Sequence, residues 1–470
     1  MSDFVVGILG LLTIVAIVVT LFKSKTQPAI AFITWPAILA LIMVLGGRYS
    51  FDNIAAMIKS GFSSTSPTAA LFVFSVLYFG IMTDAGMFDV IIGKLMTFVG
   101  DNVIGVAVVT CIIALVGHLD GGGASTFCIV IPAMLPVFKR MHMRKTTLLR
   151  IAVLAMGVLN LMPWAGPTMR AASVLGIEAG SLWQTILPIQ LFGIILALAH
   201  AAFAGWQEKQ RGAGLNGKLA QIEGTVETEE EEDKPAAASS ELARPKLFMF
   251  NICLTLAVIA MLIWDVFPSY VPFMIGVATA LFVNYGFTAK MHKKIINLHA
   301  GPALMMCSTL MGAAILMGVL TTSLGADGAA ISAKKMDLPP DAIPSVVRCL
   351  AGIVSSILPA SLGQHLPLVI GILSVPLALA FDTDSYFYGM LPVMIGIGQA
   401  FGVEALPIAI AMVVCRNCAT FISPMVPATL LGTGLAEVDI KDHIKASFMY
   451  VWLFSILCML VAVVAGIMPL

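Results

Sequence analysis

The chain has 470 residues, of which 59% are hydrophobic and only 11% charged, and its mean hydropathy is +0.99. Soluble domains carry about 25% charged residues, so the composition excludes a soluble globular protein and indicates one that crosses a lipid bilayer many times. The 26 basic and 26 acidic side chains cancel, which leaves no basic excess for a nucleic-acid partner.

Apolar runs of about 20 residues mark membrane-crossing helices. The first half offers runs at 4–22, 28–46, 67–84, 146–176 and 183–205; the second offers 247–266, 269–285, 299–323, 404–434 and 443–468. The first run has no basic leader and no cleavage site before or after it, so it reads as a retained span rather than a removed signal peptide. Residues 207–246 are polar, carry five consecutive acids at 229–233, and read as a disordered, solvated linker. This linker separates a first repeat, 1–206, from a second, 247–470. Segments 103–138 and 366–399 are apolar on both sides of a polar tip. Each arm is only about 12–16 residues, short of a full crossing, which predicts two re-entrant hairpins with their tips at mid-depth. Segments 86–99 and 343–357 read as interfacial helices leading into them.

The runs 146–176 and 404–434 are broken at their centres. Residues 160–169 read Asn-Leu-Met-Pro-Trp-Ala-Gly-Pro-Thr-Met and 417–426 read Asn-Cys-Ala-Thr-Phe-Ile-Ser-Pro-Met-Val. Asn160 precedes Pro167, and Asn417 precedes Pro424, by the same seven residues, and Ile151-Ala152 recurs as Ile408-Ala409 at the same offset. Backbone inside hydrocarbon must be hydrogen-bonded, so a break survives only when buried in protein or lining a wet cavity. Matched interruptions in two halves point to a transporter's midplane site, whereas a single proline kink could serve packing alone.

The charge distribution supports this layout. With the N-terminus outside, 18 of the 26 Lys and Arg fall on the cytoplasmic side, and only Arg48, Lys59, Lys334 and Lys335 fall outside, as the positive-inside rule requires. Five spans per half is an odd number, so the second copy is inverted. The expected fold is an all-α polytopic membrane protein of two inverted repeats, with about ten transmembrane helices plus two re-entrant hairpins.

Charge within the membrane marks function. Asp120, Asp382 and Asp384 lie at the hairpin tips, where carboxylates can carry protons, ligate a hard cation or cap a helix. The run Gly121-Gly122-Gly123 lets backbone approach a ligand. Ser125 and Thr126 begin the outgoing arm, and helix N-termini there, after Asp384, at Thr168 and at Met425 would favour an anion. Asn160, Asn417, Thr168, Thr420, Ser423 and Pro424 line the breaks, and Thr383 and Ser385 the second tip. Arg170 and Arg416 can each clasp a carboxylate or pair with an Asp. His118 can relay a proton or be held by structural hydrogen bonds. Trp164 contacts substrate or seals the break. The eight Cys read as buried small hydrophobes, including the CxxC-spaced Cys415 and Cys418. No HExxH or GxSxG motif supports an intramembrane enzyme, and a channel is a further alternative.

The stretches 117–126 (Gly-His-Leu-Asp-Gly-Gly-Gly-Ala-Ser-Thr), 131–136 (Ile-Pro-Ala-Met-Leu-Pro), 160–164, 166–170 and 381–384 followed by Tyr386 resemble the citrate–divalent metal:proton symporter (CitMHS) family of the ion transporter superfamily. The resemblance spans nearly the whole chain except the linker. It implies scaffold and transport domains, a homodimer and elevator-type movement in a bacterial cytoplasmic (inner) membrane. It also implies import of citrate complexed with a divalent cation (Mg2+ or Ca2+), driven by protons, with no permanently bound cofactor. The implied site residues are Asp120, Ser125, Thr126, Asp382, Thr383 and Asp384 at the tips and Asn160, Thr168, Asn417 and Thr420 at the breaks. The tips depart from the Ser-Asn-Thr signature of sodium-driven dicarboxylate relatives; carboxylates there suit a proton or a metal-masked substrate. A sodium-coupled di- or tricarboxylate or other organic-acid symporter is the alternative.

Overall fold

The computed structural model describes residues 1–24, 26–215, 217, 241–264, 266–331 and 338–468. The acids 229–233 and Lys334 and Lys335 lie outside the described residues. The helices are α1 Asp3–Ser24, α2 Pro28–Leu45, α3 Phe51–Asp84, α4 Met87–Met96, α5 Val103–Gly117, α6 Gly123–Arg140, α7 Lys145–Leu159, α8 Gly166–Leu175 and α9 Ala179–Arg211. After the linker come α10 Phe248–Ile263, α11 Tyr270–Tyr285, α12 Ala289–Thr321, α13 Val346–Ser355, a single turn α14 Ala360–Gln364, α15 Leu366–Ala380, α16 Leu391–Ala400, α17 Ala405–Cys418, α18 Pro427–Leu435 and α19 Ile440–Val464. Among the described residues, seven helical spans are long and apolar enough to cross a membrane: α1, α2, α3, α9, α10 together with the 3₁₀ turn Pro245–Leu247 ahead of it, α12 and α19. At 16 residues α11 falls just short, and the broken pairs α7/α8 and α17/α18 would cross only in tandem.

Three helices differ from the sequence expectation. The run expected at 183–205 is part of α9, which continues to Arg211, so residues 207–211 of the expected disordered linker 207–246 are helical. The run expected at 67–84 is the second half of α3, which has 34 residues; the run expected at 299–323 belongs to the 33-residue α12. Both begin in polar sequence that an apolar window misses. The start of α3 is set instead by a capping box, with Ser50 Oγ accepting from Asn53 N–H and Asn53 Oδ1 from Ser50 N–H. At 1.5 Å per residue each helix is about 50 Å long, well over the hydrocarbon thickness. The fold is also not wholly helical. A two-residue antiparallel ribbon, β1 Ser323–Leu324 with β2 Ala330–Ile331, follows α12, and Ile343 bridges to Leu324.

The two long helices cross by glycine. A Cβ on Gly61 of α3 would stand 1.9 Å from the Ala314 carbonyl oxygen, and one on Gly318 of α12 would stand 2.4 Å from that of Met57. Small residues allow helices to approach this closely without side-chain area between them. Against this pair lie α2, through Gly312 touching Ala29, and α11, through Gly276 beside Tyr78.

At the centre stand α7 and α17. Every residue from Thr147 to Leu159 and from Pro407 to Cys418 is buried. A helix apolar all round has protein on every side, and these are the helices that run into the two breaks. Gly157 of α7 lies against the end of α17, where a Cβ would sit 2.9 Å from Cys418 Cα.

Gly61→Ala forces backbone apart at the α3–α12 crossing, an overpacking cost of about 1–3 kcal/mol. A clear drop in Tm of the detergent-purified protein is expected, and an unchanged Tm would show that the crossing yields freely.

Candidate functional site

The first tip is built by short-range chemistry. Gly121 has φ +71°, the left-handed region that glycine enters without strain, and this turns α5 back into α6. Asp120 then accepts from the Gly122 N–H at 2.7 Å and from Ser125 Oγ. Asp120 thereby ties down Gly122, the N-cap residue of α6, which has no side-chain cap of its own; of its three expected roles, proton carrier, cation ligand and helix cap, these bonds come nearest to the last. The second tip is built differently. Asp382 accepts from Ser385 N–H at 3.2 Å, and Ser385–Met390 forms a π-helical turn ahead of α16. Such turns concentrate at functional sites. Asp382, Thr383 and Asp384 are half-buried, and Ser385 is buried.

Two groups tie the first tip to the first break, and a third ties it to the second. His118 is fully buried, with Nδ1 2.7 Å from Thr126 Oγ1 and Nε2 3.1 Å from Asn160 Oδ1. Trp164 Nε1 donates to the Leu119 carbonyl at 2.8 Å, so Trp164 seals the tip. The Phe421 ring from the second break meets His118 edge-on at 5.3 Å. A Cβ on Gly123 would lie 2.3 Å from that ring, so Gly123 is needed for close approach.

The two breaks meet directly. Thr168 Oγ1 donates to the Asn160 carbonyl at 2.8 Å, and Asn417 Nδ2 donates to the same oxygen at 2.9 Å. Thr168 lies in the first turn of α8. The second descending helix opens at Pro427 rather than at the expected Met425, because a 3₁₀ turn, Thr420–Ile422, lengthens the break. Ser423, buried, accepts from the Met425 N–H at 3.2 Å, and Pro424 is half-buried beside it.

The arginines divide. Arg170 Nε donates to Asp384 Oδ1 at 2.6 Å, joining α8 to the second tip, the pairing that was one of its two expected roles. Arg416 is fully buried, yet its partners among the described residues are neutral: Thr420 Oγ1 and the Phe381 carbonyl, each at 3.3 Å, and the Tyr386 ring at 5.6 Å. Arg416 Nε, Asn160 Nδ2 and Asn417 Oδ1 are buried with no hydrogen-bond partner. Buried polar groups are normally satisfied, and three orphans at the two breaks indicate a place where a polar ligand completes the bonding. Arg416 was only a subsidiary candidate in the sequence; its signal was an ionisable residue inside an apolar run. Phe421 and Ser374, whose hydroxyl meets Tyr386 OH at 2.6 Å, carried no signal at all.

Among the described residues no three His, Cys, Asp or Glu side chains come together as a metal-binding group. All eight Cys are free, and Cys128 and Cys253 are exposed rather than buried as expected.

A family model described as "Citrate transporter" (CitMHS) matches residues 2–415. The chain belongs to this family. It is thus an integral membrane transporter and not an enzyme. A citrate transporter of Bacillus subtilis (strain 168) is 32% identical over 98% of this chain and 99% of its own length. A Mg(2+)/citrate complex secondary transporter of the same organism is 31% identical over 98% of each chain. Among solved structures, the Alcanivorax borkumensis YdaH transporter aligns over 94% of this chain and 99% of its own with a TM-score of 0.52 at 14% identity, a likeness of fold alone.

Gly123→Ala displaces the first tip from the Phe421 ring. Citrate uptake is expected to fall about tenfold, and Phe421→Ala in the same chain to restore part of it, since touching residues couple. Strictly additive losses in the double mutant would show that the contact is not the cause.

Proposed function

We propose that this chain imports citrate as its complex with a divalent cation such as Mg2+ or Ca2+, by proton symport. The observation that carries the reading is the charge balance at the breaks. Arg170 is neutralised by Asp384, while Arg416 is buried with neutral partners and an orphan Nε. An unpaired buried cation is costly, so a bound anion of unit charge would be drawn to it. Citrate as a trianion overshoots; chelation of a divalent cation removes two charges and leaves a monoanion. The name of the Mg(2+)/citrate relative supports the same cargo. Because the cargo carries its own metal, the protein needs no three-ligand cage.

Asp382 follows Phe381, whose carbonyl accepts from Arg416. When ionised, Asp382 offsets part of the Arg416 charge through space. When protonated, it leaves Arg416 for the substrate. Proton and anion would then bind together, which is the logic of symport. In this reading Gly122, Gly123, Ser125 and Thr126 at the first tip, Thr383 and Ser385 at the second, and Asn160, Thr168, Asn417, Thr420, Ser423 and Pro424 at the breaks surround the cargo. His118 and Asp120 hold the first tip in shape, and Arg170 with Asp384 binds the second tip to α8.

The remaining parts of the reading follow from the recurrence of elements. The order long helix, short helix, hairpin, broken helix, long helix runs from α3 to α9 and again from α12 to α19. It supports two inverted repeats, 1–206 and 247–470, around the acidic segment 207–246. The hairpins and broken helices would move as one body against α3 and α12, in a homodimer held in a bacterial cytoplasmic membrane with the N-terminus outside.

The test is uptake of labelled citrate into proteoliposomes, without sodium, under an imposed pH gradient, with and without Mg2+ or Ca2+. Uptake needing both metal and gradient is the expected result. Uptake that sodium drives and metal suppresses would instead select a sodium-coupled carboxylate symporter.

Two substitutions separate binding from coupling. Arg416→Gln removes the buried charge and is expected to lower uptake efficiency about 30-fold or more. Asp382→Asn is expected to retain metal–citrate exchange while abolishing its response to the pH gradient; an undiminished response would remove Asp382 from the coupling step.

A further inference from the structure

A second polar cluster lies far along α7 from the break, where the start of α7 meets the end of α9 and the start of α19. A cavity of about 460 Å3 opens there, lined by Arg144, Arg150 and Lys445 together with Thr146, Gln207 and Tyr450. Among the described residues no acidic side chain lines it. Glu208 stands behind it, fully buried, and is engaged by Arg144 Nε at 2.6 Å, Thr147 Oγ1 at 2.6 Å and Arg211 at 2.8 Å. Three further acids of this face, Glu437, Asp439 and Asp442, line a neighbouring cavity. There Glu437 is held by Lys139 and Lys145, and Asp439 by Lys441.

Arg150 marks this cavity as a built site. It is only 5% exposed. Its guanidinium lies over the Tyr450 ring at 4.1 Å and donates to Gln207 Oε1 at 2.9 Å, while Gln207 Nε2 donates to Tyr450 OH at 3.2 Å. Its Nε is buried with no hydrogen-bond partner. A nine-tenths-buried cation with an open donor, beside two more cations and the first N–H groups of α7, is complementary to a tetrahedral oxyanion.

The surroundings say where the oxyanion comes from. Phe203 and Trp206 of α9 are exposed and stacked at 5.9 Å and 23°. Met449 and Leu453 of α19 are exposed as well. The cationic cavity thus opens beside an uncovered apolar wall, at the end of the bundle that the positive-inside rule assigns to the cytoplasm. Aromatic residues at such a position sit at headgroup level, and basic pockets between transmembrane helices on that side take anionic headgroups. We propose that this groove binds an anionic phospholipid, its phosphate in the Arg144–Arg150–Lys445 cavity and its acyl chains along Phe203, Trp206, Met449 and Leu453. A lipid seated there braces the foot of α7, the helix that carries Asn160.

The test is native mass spectrometry of the full chain, equilibrated in detergent with equal phosphatidylglycerol and phosphatidylcholine. Each surface cation contributes about fivefold to such binding, so preferential retention of phosphatidylglycerol, by about 20-fold, is expected. R150Q/K445Q should abolish the preference, and Lys293→Gln, on α12 of the same face, should leave it intact. Should the double variant fail to fold, the exposed Lys445→Gln alone is expected to weaken retention about fivefold. Equal retention of the two lipids, or a preference that the variants leave untouched, would overturn the proposal. So would displacement of the lipid by millimolar inorganic phosphate or citrate, which would make the cavity a soluble-anion pocket.

Discussion

The structure depends on one oxygen. The carbonyl of Asn160 stands at the end of α7, where the helix stops inside the membrane and its last acceptors lose their partners. Thr168 Oγ1 bonds it from the far side of the same break, and Asn417 Nδ2 bonds it from the other break. Both lone pairs are thereby used. Hydrocarbon supplies no water to repair an unmade bond, so the two interrupted helices have to be brought together. Once they are, Asn160 Nδ2, Asn417 Oδ1 and Arg416 Nε are left buried beside the junction without a hydrogen-bond partner.

Around that junction the halves interlock. His118 joins the first tip to Asn160, Phe421 reaches from the second break to His118, and Arg170 on α8 holds Asp384 on the second tip. Glu437, between α18 and α19, is gripped by Lys139 at the end of α6 and Lys145 at the start of α7. These contacts make the hairpins and broken helices a connected body. The glycine crossing of α3 and α12 joins two long helices beside it.

Much of this was legible in the sequence because membranes penalise exceptions. Asn–Pro interruptions, acidic tips and short apolar arms stand out against an otherwise apolar background, and each marked an element the structure contains. The starts of α3 and α12 were not legible: Phe51 to Ser66 and Ala289 to Leu298 are too polar for a hydropathy window, and it is the Ser50 cap and the glycine crossing that place the first of these as helix. Arg170 and Arg416 looked alike in sequence, each within a break. Only three-dimensional placement showed that one has a carboxylate partner and the other has neutral ones. The π-turn at Ser385–Met390 left no trace in the sequence; no Gly–Pro or Asn–Gly punctuation marks it, and its Tyr386, Phe387 and Tyr388 are fully buried.

The shared Asn160 carbonyl also bears on how the chain is made. Its two donors lie 8 and 257 residues further on. At a synthesis rate of about 5–20 residues per second, on the order of ten seconds or more pass before the second donor is available. Thr168 arrives almost at once, and a single local bond is enough to keep the oxygen satisfied within the newly inserted first half. That half can therefore rest in the bilayer as a competent intermediate. Asn417 reaches the same oxygen only once the second half has been made and inserted, so the junction closes last.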